Sequence, residues 1–147
     1  MKSVADIIRS KPDQTVYKIT PGVLAYDALR LMAEKNIGAL LVAEEGKIVG
    51  IVTERDFARK VVMMDRSSKQ TTIREIMTAS VMYVRPDQTN EECMALMTDN
   101  RLRHLPVMEN GKLLGLVSIG DLVKDIISEQ QFVIEQLQNY IQGQRGV

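Results

Sequence analysis

The chain has 147 residues, 45% hydrophobic and 26% charged, and its 19 Lys plus Arg are matched by 19 Asp plus Glu. A chain of this length forms one domain, or two small halves sharing a core, and buries about 68–70% of its unfolded surface. The balanced charge sets up no whole-chain field for DNA or an anionic membrane, and no apolar run is long enough to span a bilayer.

At the N-terminus, Met1-Lys2-Ser3-Val4-Ala5-Asp6 lacks the apolar stretch of a signal peptide, and the lone Cys93 cannot found a disulfide framework; both fit a reducing cytoplasm. Val4-Ala5-Asp6-Ile7-Ile8 reads as a short helix leading toward the first strand. Residues 16–19 are a strand signal broken by Thr20-Pro21-Gly22, after which Val23, Tyr26, Ala28, Leu29, Leu31 and Met32 give a helical stripe to about Lys35. Residues 38–43 and 47–52 are apolar strands joined by Glu44-Glu45-Gly46, a hairpin signal. Helical spacing resumes from Thr53 through Phe57, Ala58, Val61 and Val62.

Residues 63–72, rich in Ser and Lys from Asp65 onward, read as a linker, and Ile73-Arg74-Glu75-Ile76-Met77 as a second short lead-in helix. The next strand ends at Pro86-Asp87-Gln88-Thr89, where Thr89 and Glu92 make a capping box, and Glu109-Asn110-Gly111 carries the strong Asn-Gly hairpin signal. A last helix starts after Ser118 and is expected to reach about Gln142, stopped by Gly143, with residues 144–147 frayed. Its extension places Val133, Leu137, Tyr140 and Ile141 at i, i+4, i+7 and i+8. That surplus apolar face suits either packing on the same chain or contact with a second copy or partner.

These elements are one unit written twice. Gly50-Ile51-Val52-Thr53-Glu54-Arg55-Asp56 returns 65 positions later as Gly115-Leu116-Val117-Ser118-Ile119-Gly120-Asp121. Without a gap, Ile37-Gly38-Ala39-Leu40 lies over Leu102-Arg103-His104-Leu105, Pro21 over Pro86, and Leu31-Met32 over Leu96-Met97. Self-similarity at a fixed period marks a repeated supersecondary unit, here of roughly 60 residues.

The repeated motif sets a hydroxyl three residues before a carboxylate where a strand gives way to a helix. One reading is structural: [Ser/Thr]-x-x-[Asp/Glu] before an apolar run is a capping box that satisfies the helix's first amides internally. The other is functional: hydroxyl, amides and helix dipole hold a phosphate while the carboxylate accepts two hydrogen bonds from a ribose diol. A cap's side chain can also turn to a ligand, so the chemistry alone leaves both readings open.

The double pattern of strand, Pro, helix, strand, hairpin, strand and Gly-h-h-[Ser/Thr]-x-x-Asp resembles the cystathionine-β-synthase (CBS) domain, used as a tandem pair called a Bateman module. The resemblance implies an α/β (α+β) fold of two pseudo-symmetric β-α-β-β-α repeats packed through their sheets, with a long C-terminal helix added. It divides the single module into repeat one at 4–62, a linker at 63–72, repeat two at 73–128 and an extension at 129–147. It also implies two clefts that take adenosine compounds: AMP, ADP, ATP or NAD, with S-adenosylmethionine ranked below them. By position, Asp56 and Asp121 match ribose-binding carboxylates, and Thr53 and Ser118 match ribose- or phosphate-facing hydroxyls. The backbones of Gly38-Ala39-Leu40 and His104-Leu105-Pro106 would line the adenine pockets, closed by Ile19-Thr20-Pro21 and Val84-Arg85-Pro86. Arg103 and His104 match a basic pair that faces phosphates in the γ subunit of the AMP-activated kinase.

The two clefts are therefore expected to differ. Arg103, His104, Ser118 and Asp121 suit a phosphate, whereas Thr53 and Asp56 sit beside small Gly38 and Ala39 and would draw a cation from Arg55, Arg59 or Lys60, a run that commonly forms a solvated helix face. His104, the only histidine, takes its candidacy from that positional match, and Cys93, with Met94 and Met97, reads as core filler. No phosphate-binding G-x-x-x-x-G-K-[ST], dinucleotide G-x-G-x-x-G or zinc-spaced Cys/His set is present, and one His and one Cys cannot build a nucleophile–base–orienter set. The reading is a non-enzymatic cytoplasmic sensor of an adenosine ligand, forming a homodimer and acting in trans on an unidentified effector. The alternatives are an interaction module with vestigial or constitutively filled clefts, or a nucleic-acid binder, against which zero net charge and few aromatics argue.

Overall fold

In this computed structural model, residues 2–145 are described. In chain order the elements are α1 (Val4–Arg9), β1 (Lys18–Ile19), α2 (Ala25–Lys35), β2 (Ala39–Glu44), β3 (Lys47–Thr53), α3 (Glu54–Phe57) with a π-helical turn (Ala58–Val62), α4 (Ile73–Ile76), α5 (Asn90–Asn100), β4 (His104–Glu109), β5 (Lys112–Ser118) and α6 (Ile119–Arg145). They form two compact units. One is Thr15–Met82; the other joins the residues up to Gln14 to those from Tyr83 onward.

The unit Thr15–Met82 holds a sheet in the order β1-β2-β3, with β1 parallel to β2 and β2 antiparallel to β3. The other holds the β4-β5 hairpin. Here the strand expected before Pro86 is reduced to one parallel bridge, Val84 to Val107. Both hairpins turn through left-handed pairs, Glu45-Gly46 (φ 51° and 78°) and Asn110-Gly111 (φ 52° and 77°), the geometry that matches the twist of the flanking strands.

The lead-in helices are exchanged. Val4, Ile7 and Ile8 of α1 enter a core with Val84, Cys93, Met97, Leu105, Val107, Val117 and Leu122. Ile73 and Ile76 of α4 enter a core with Ala28, Met32, Leu40, Val42, Val52 and Phe57. The backbone seams match in register: Val4 and Ala5 N–H donate to the Gln88 and Pro86 carbonyls (2.8 and 3.0 Å), and Ile73 and Arg74 N–H to those of Val23 and Pro21 (2.8 and 3.0 Å). Each lead-in helix thus packs on the sequence repeat it does not precede. Full capping boxes start both, Ser3 with Asp6 and Thr72 with Glu75. The hydrogen bonds from Ser3, and those from Thr72, hold the two carboxyls below their ordinary range.

Two helix boundaries differ from expectation. After Phe57 the helix widens into the π turn, with Met63 N–H donating to the Ala58 carbonyl (3.0 Å). α6 runs through Gly143 to Arg145, because one interior glycine costs only about 1 kcal/mol and Gly143 does not adopt the left-handed conformation that ends a helix. Gln144 and Arg145, expected to fray, are helical; residues 146–147 of that expected tail lie outside the described residues. Thr89 caps α5 through the Glu92 N–H (3.2 Å), but the Glu92 carboxylate turns to Gln88 instead of closing the box. Burial raises the Cys93 thiol to about 11, so it stays neutral in its core. No helix among the described residues is long and apolar enough to cross a membrane.

The exchange explains the motif glycines. A Cβ on Gly50 would stand 2.5 Å from Met77 Sδ and 3.1 Å from the Thr78 carbonyl oxygen, and one on Gly115 would stand 3.0 Å from Ile8 Cδ1. Gly50→Ala is expected to destabilise the fold by about 1–3 kcal/mol, whereas Gly22→Ala, whose Cβ meets nothing within 4 Å, changes it by less than about 0.5 kcal/mol. Urea unfolding followed by circular dichroism checks this; equal effects would contradict the close approach.

Candidate functional site

Each motif closes the seam between a strand and the helix after it. At the first copy the Thr53 N–H and hydroxyl both donate to Asp56 Oδ2 (2.8 and 3.3 Å). Asp56 Oδ1 pairs with Lys60 Nζ at 3.1 Å, and that ammonium also donates to the Ile76 carbonyl at 2.9 Å. Asp56 is buried, and its two oxygens are occupied by the cap and the lysine.

At the second copy the Ser118 N–H donates to Asp121 Oδ2 (2.8 Å) and the Asp121 N–H donates to Ser118 Oγ (3.2 Å). Lys11 Nζ reaches the same Oδ2 at 3.0 Å and donates to the Leu116 carbonyl at 3.0 Å. Asp121 Oδ1 accepts nothing, and the Ser118 hydroxyl proton is donated to nothing, among the described residues. An ionised carboxylate has about four acceptor positions and a hydroxyl one donor, so this corner keeps capacity that the first has used.

The strand register brings further candidate residues to the same places. Ala39 is the cross-strand partner of Thr53, and His104 that of Ser118. Glu54 N–H donates to the Gly38 carbonyl (3.2 Å) and Ile119 N–H to that of Arg103 (2.9 Å), so the first amide of each helix is already satisfied. Arg103 is exposed and forms no ion pair among the described residues; His104 is half-buried.

Other candidates stand apart from these corners by chemistry. Leu40, Leu105 and Val84 are fully buried core side chains, which leaves only backbone to face a ligand. Even that is spent for Val84, whose N–H donates to the Pro106 carbonyl (3.0 Å) and whose carbonyl accepts from Met108 (2.9 Å). The Pro21 and Pro86 carbonyls hold the lead-in helices, while Thr20 and Arg55 are exposed.

Sequence reasoning missed Lys11. It lies 110 positions from Asp121, its repeat counterpart is Ile76, and no local signal could have joined them. Lys60, expected either to supply the first cleft's cation or to lie on a solvated helix face, instead pairs with Asp56 at i, i+4. Among the described residues no group of three or more His, Cys, Asp or Glu side chains is placed to hold a metal ion.

The family model of the CBS domain matches residues 4–63 and again 73–128. The chain belongs to the CBS-domain family. It is 38% identical to the mitochondrial CBS domain-containing protein CBSX3 of Arabidopsis thaliana over 149 residues, covering 96% of this chain and 72% of that protein. The structure is similar to that of a CBS-domain protein from Burkholderia ambifaria MC40-6 at 60% identity and TM-score 0.85, covering 88% and 96% of the two chains. It is also similar to the CBS domain pair of protein MJ0100, solved with 5′-methylthioadenosine and S-adenosyl-L-methionine, at 25% identity and TM-score 0.75, covering 88% and 98%.

Within the CBS repeats, the caps predict a stability signature. Asp121→Asn leaves Lys11 without its counter-charge and is expected to cost about 1–2 kcal/mol, while Arg103→Gln, which breaks no ion pair among the described residues, stays within about 0.5 kcal/mol of the parent. Urea midpoints measured at neutral pH test the pair. Equal midpoints for Asp121→Asn and the parent would contradict the role given to the carboxylate.

Proposed function

We propose that this CBS-domain chain is a regulatory module that binds an adenosine compound, beginning at the Ser118–Asp121 corner, and that it catalyses no reaction. The observation carrying the reading is the pair of unspent groups there. The Ser118 hydroxyl and Asp121 Oδ1 supply one donor and one acceptor beside exposed Arg103 and half-buried His104. A carboxylate oxygen accepts from a ribose diol, and a guanidinium gives bidentate hydrogen bonds to a phosphate. The adenosine compounds held by the CBS pair of MJ0100 support the same ligand class. The candidates are AMP, ADP, ATP and NAD, with S-adenosylmethionine beside them.

The Thr53–Asp56 corner would bind more weakly, because Asp56 already accepts from three donors, the Thr53 N–H, the Thr53 hydroxyl and Lys60, against two at Asp121. A bound ligand shifts the module between conformations only by its differential affinity for them. In this reading the module signals to an effector in trans and works as a homodimer in a reducing compartment, the cytoplasm. A second reading, an interaction module with vestigial sites, is favoured by one observation: both motif carboxylates are already engaged by a cap and a lysine.

Titration calorimetry with AMP, ATP, NAD, S-adenosylmethionine and adenosine separates the two. Asp121→Ala is expected to weaken the best ligand tenfold or more, about 1.5–3 kcal/mol. Arg103→Gln, outside the cap, is expected to weaken AMP while leaving adenosine unchanged. Absence of heat with all five compounds would favour the vestigial reading, and equal loss of AMP and adenosine in Arg103→Gln would remove the phosphate from that corner.

A further inference from the structure

From Gln130 onward every residue of α6 whose burial is described is exposed, so the helix leaves its unit as a bare rod. Most helical stability in proteins comes from packing an apolar face, and this segment's apolar face packs on nothing that would bury it. Val123, Ile127, Ile134, Leu137 and Ile141, with the polar Gln130 between Ile127 and Ile134, fall at alternating steps of four and three. That is a heptad with Ile at every a position (127, 134, 141) and Leu137 at a central d position.

We propose that α6 pairs with α6 of a second copy as a parallel, two-stranded coiled coil, a proposal that rests on the homodimer in the functional reading and assigns its contact. Four observations carry it. Ile at a with Leu at d is the combination that favours parallel dimers. Between Ile127 and Ile141 the flanking e and g positions, Gln131, Val133, Gln138 and Tyr140, carry no charge, so no like-charge pair opposes self-association along that stretch. Gln130, at a d position, meets its own copy only in the parallel register, where two amides can donate to and accept from each other. The stripe is also large enough. Ile127 (48% exposed), Ile134 (53%), Leu137 (58%) and Ile141 (48%), with the flanking Val133 and Tyr140, are all about half bare or more. Together they offer on the order of 600 Å² per copy, against about 800 Å² per partner in a standard stable interface. A patch of that size is at the upper limit of what a monomer leaves uncovered.

Sedimentation equilibrium on the full chain tests the proposal. The parent is expected to be a dimer, and Ile134→Glu with Leu137→Glu, both at exposed positions, to raise its dissociation constant about a hundredfold or more. Mild oxidation of Gln130→Cys is expected to yield a covalent dimer, because Cys93 is buried. A double variant that dimerises as tightly as the parent overturns the coiled coil and leaves the homodimer standing; a monomeric parent overturns both. Gln130→Cys that stays monomeric on oxidation overturns the parallel register. A monomeric parent whose helix content rises only with phosphatidylcholine–phosphatidylglycerol vesicles would assign the stripe to a lipid surface instead.

Discussion

The contact on which each half of this molecule depends is the carboxylate that ends its repeated motif. Asp56 and Asp121 each accept the backbone N–H of the residue that closes a strand, and so fix where strand becomes helix. Each also neutralises a lysine whose other hydrogen bond goes to a main-chain carbonyl. At Asp121 that lysine belongs to the N-terminal segment, so one side chain ties the β5–α6 corner to a stretch of chain more than 100 residues away in sequence. A charged, partly buried group with all its partners in place resists change; one with an oxygen to spare can take a ligand without dismantling the corner.

The exchange of lead-in helices follows from the same economy of burial. A sheet of two or three short strands with one long helix across it cannot cover its own apolar face. Val4, Ile7 and Ile8 complete one core and Ile73 and Ile76 the other, each held by paired backbone hydrogen bonds beside a Pro. The motif glycine is required because the incoming chain crosses the strand there: Ile8 lies over Gly115, and Met77 with Thr78 lies over Gly50. The opening residue of Gly-h-h-[Ser/Thr]-x-x-Asp is thus a packing constraint, and its closing residue an electrostatic one.

Much of this was legible in the sequence because it is local. Asn110-Gly111 and Glu45-Gly46 fix the hairpin turns through their left-handed φ values, Thr53-x-x-Asp56 announces its capping box, and the 65-residue period gives the duplicated fold. The nonlocal features were not. Nothing near Lys11 points to Asp121, and a lead-in helix next to its own repeat in sequence gives no sign that it packs on the other. The π turn after Phe57 keeps helical spacing in its apolar residues, so periodicity alone reads it as α-helix. The difference between the two corners was half legible. Arg103-His104 against Gly38-Ala39 stands in the sequence, but the larger distinction, that the Thr53 hydroxyl donates to Asp56 while the Ser118 hydroxyl donates to nothing among the described residues, depends on side-chain rotamers.

The central claim is that a corner built to cap a helix also has room for an adenosine compound. Anything that binds the native state and not the unfolded chain raises apparent stability, by about 2.7 kcal/mol at a hundredfold excess over the dissociation constant. The most direct measurement is the urea unfolding midpoint of the full chain, alone and with saturating AMP, ATP, NAD or S-adenosylmethionine. The account predicts that at least one of them raises the midpoint, and that the rise shrinks in Asp121→Ala when each variant is compared with its own ligand-free baseline. A midpoint unmoved by all four would contradict it and leave the motif as a capping box alone.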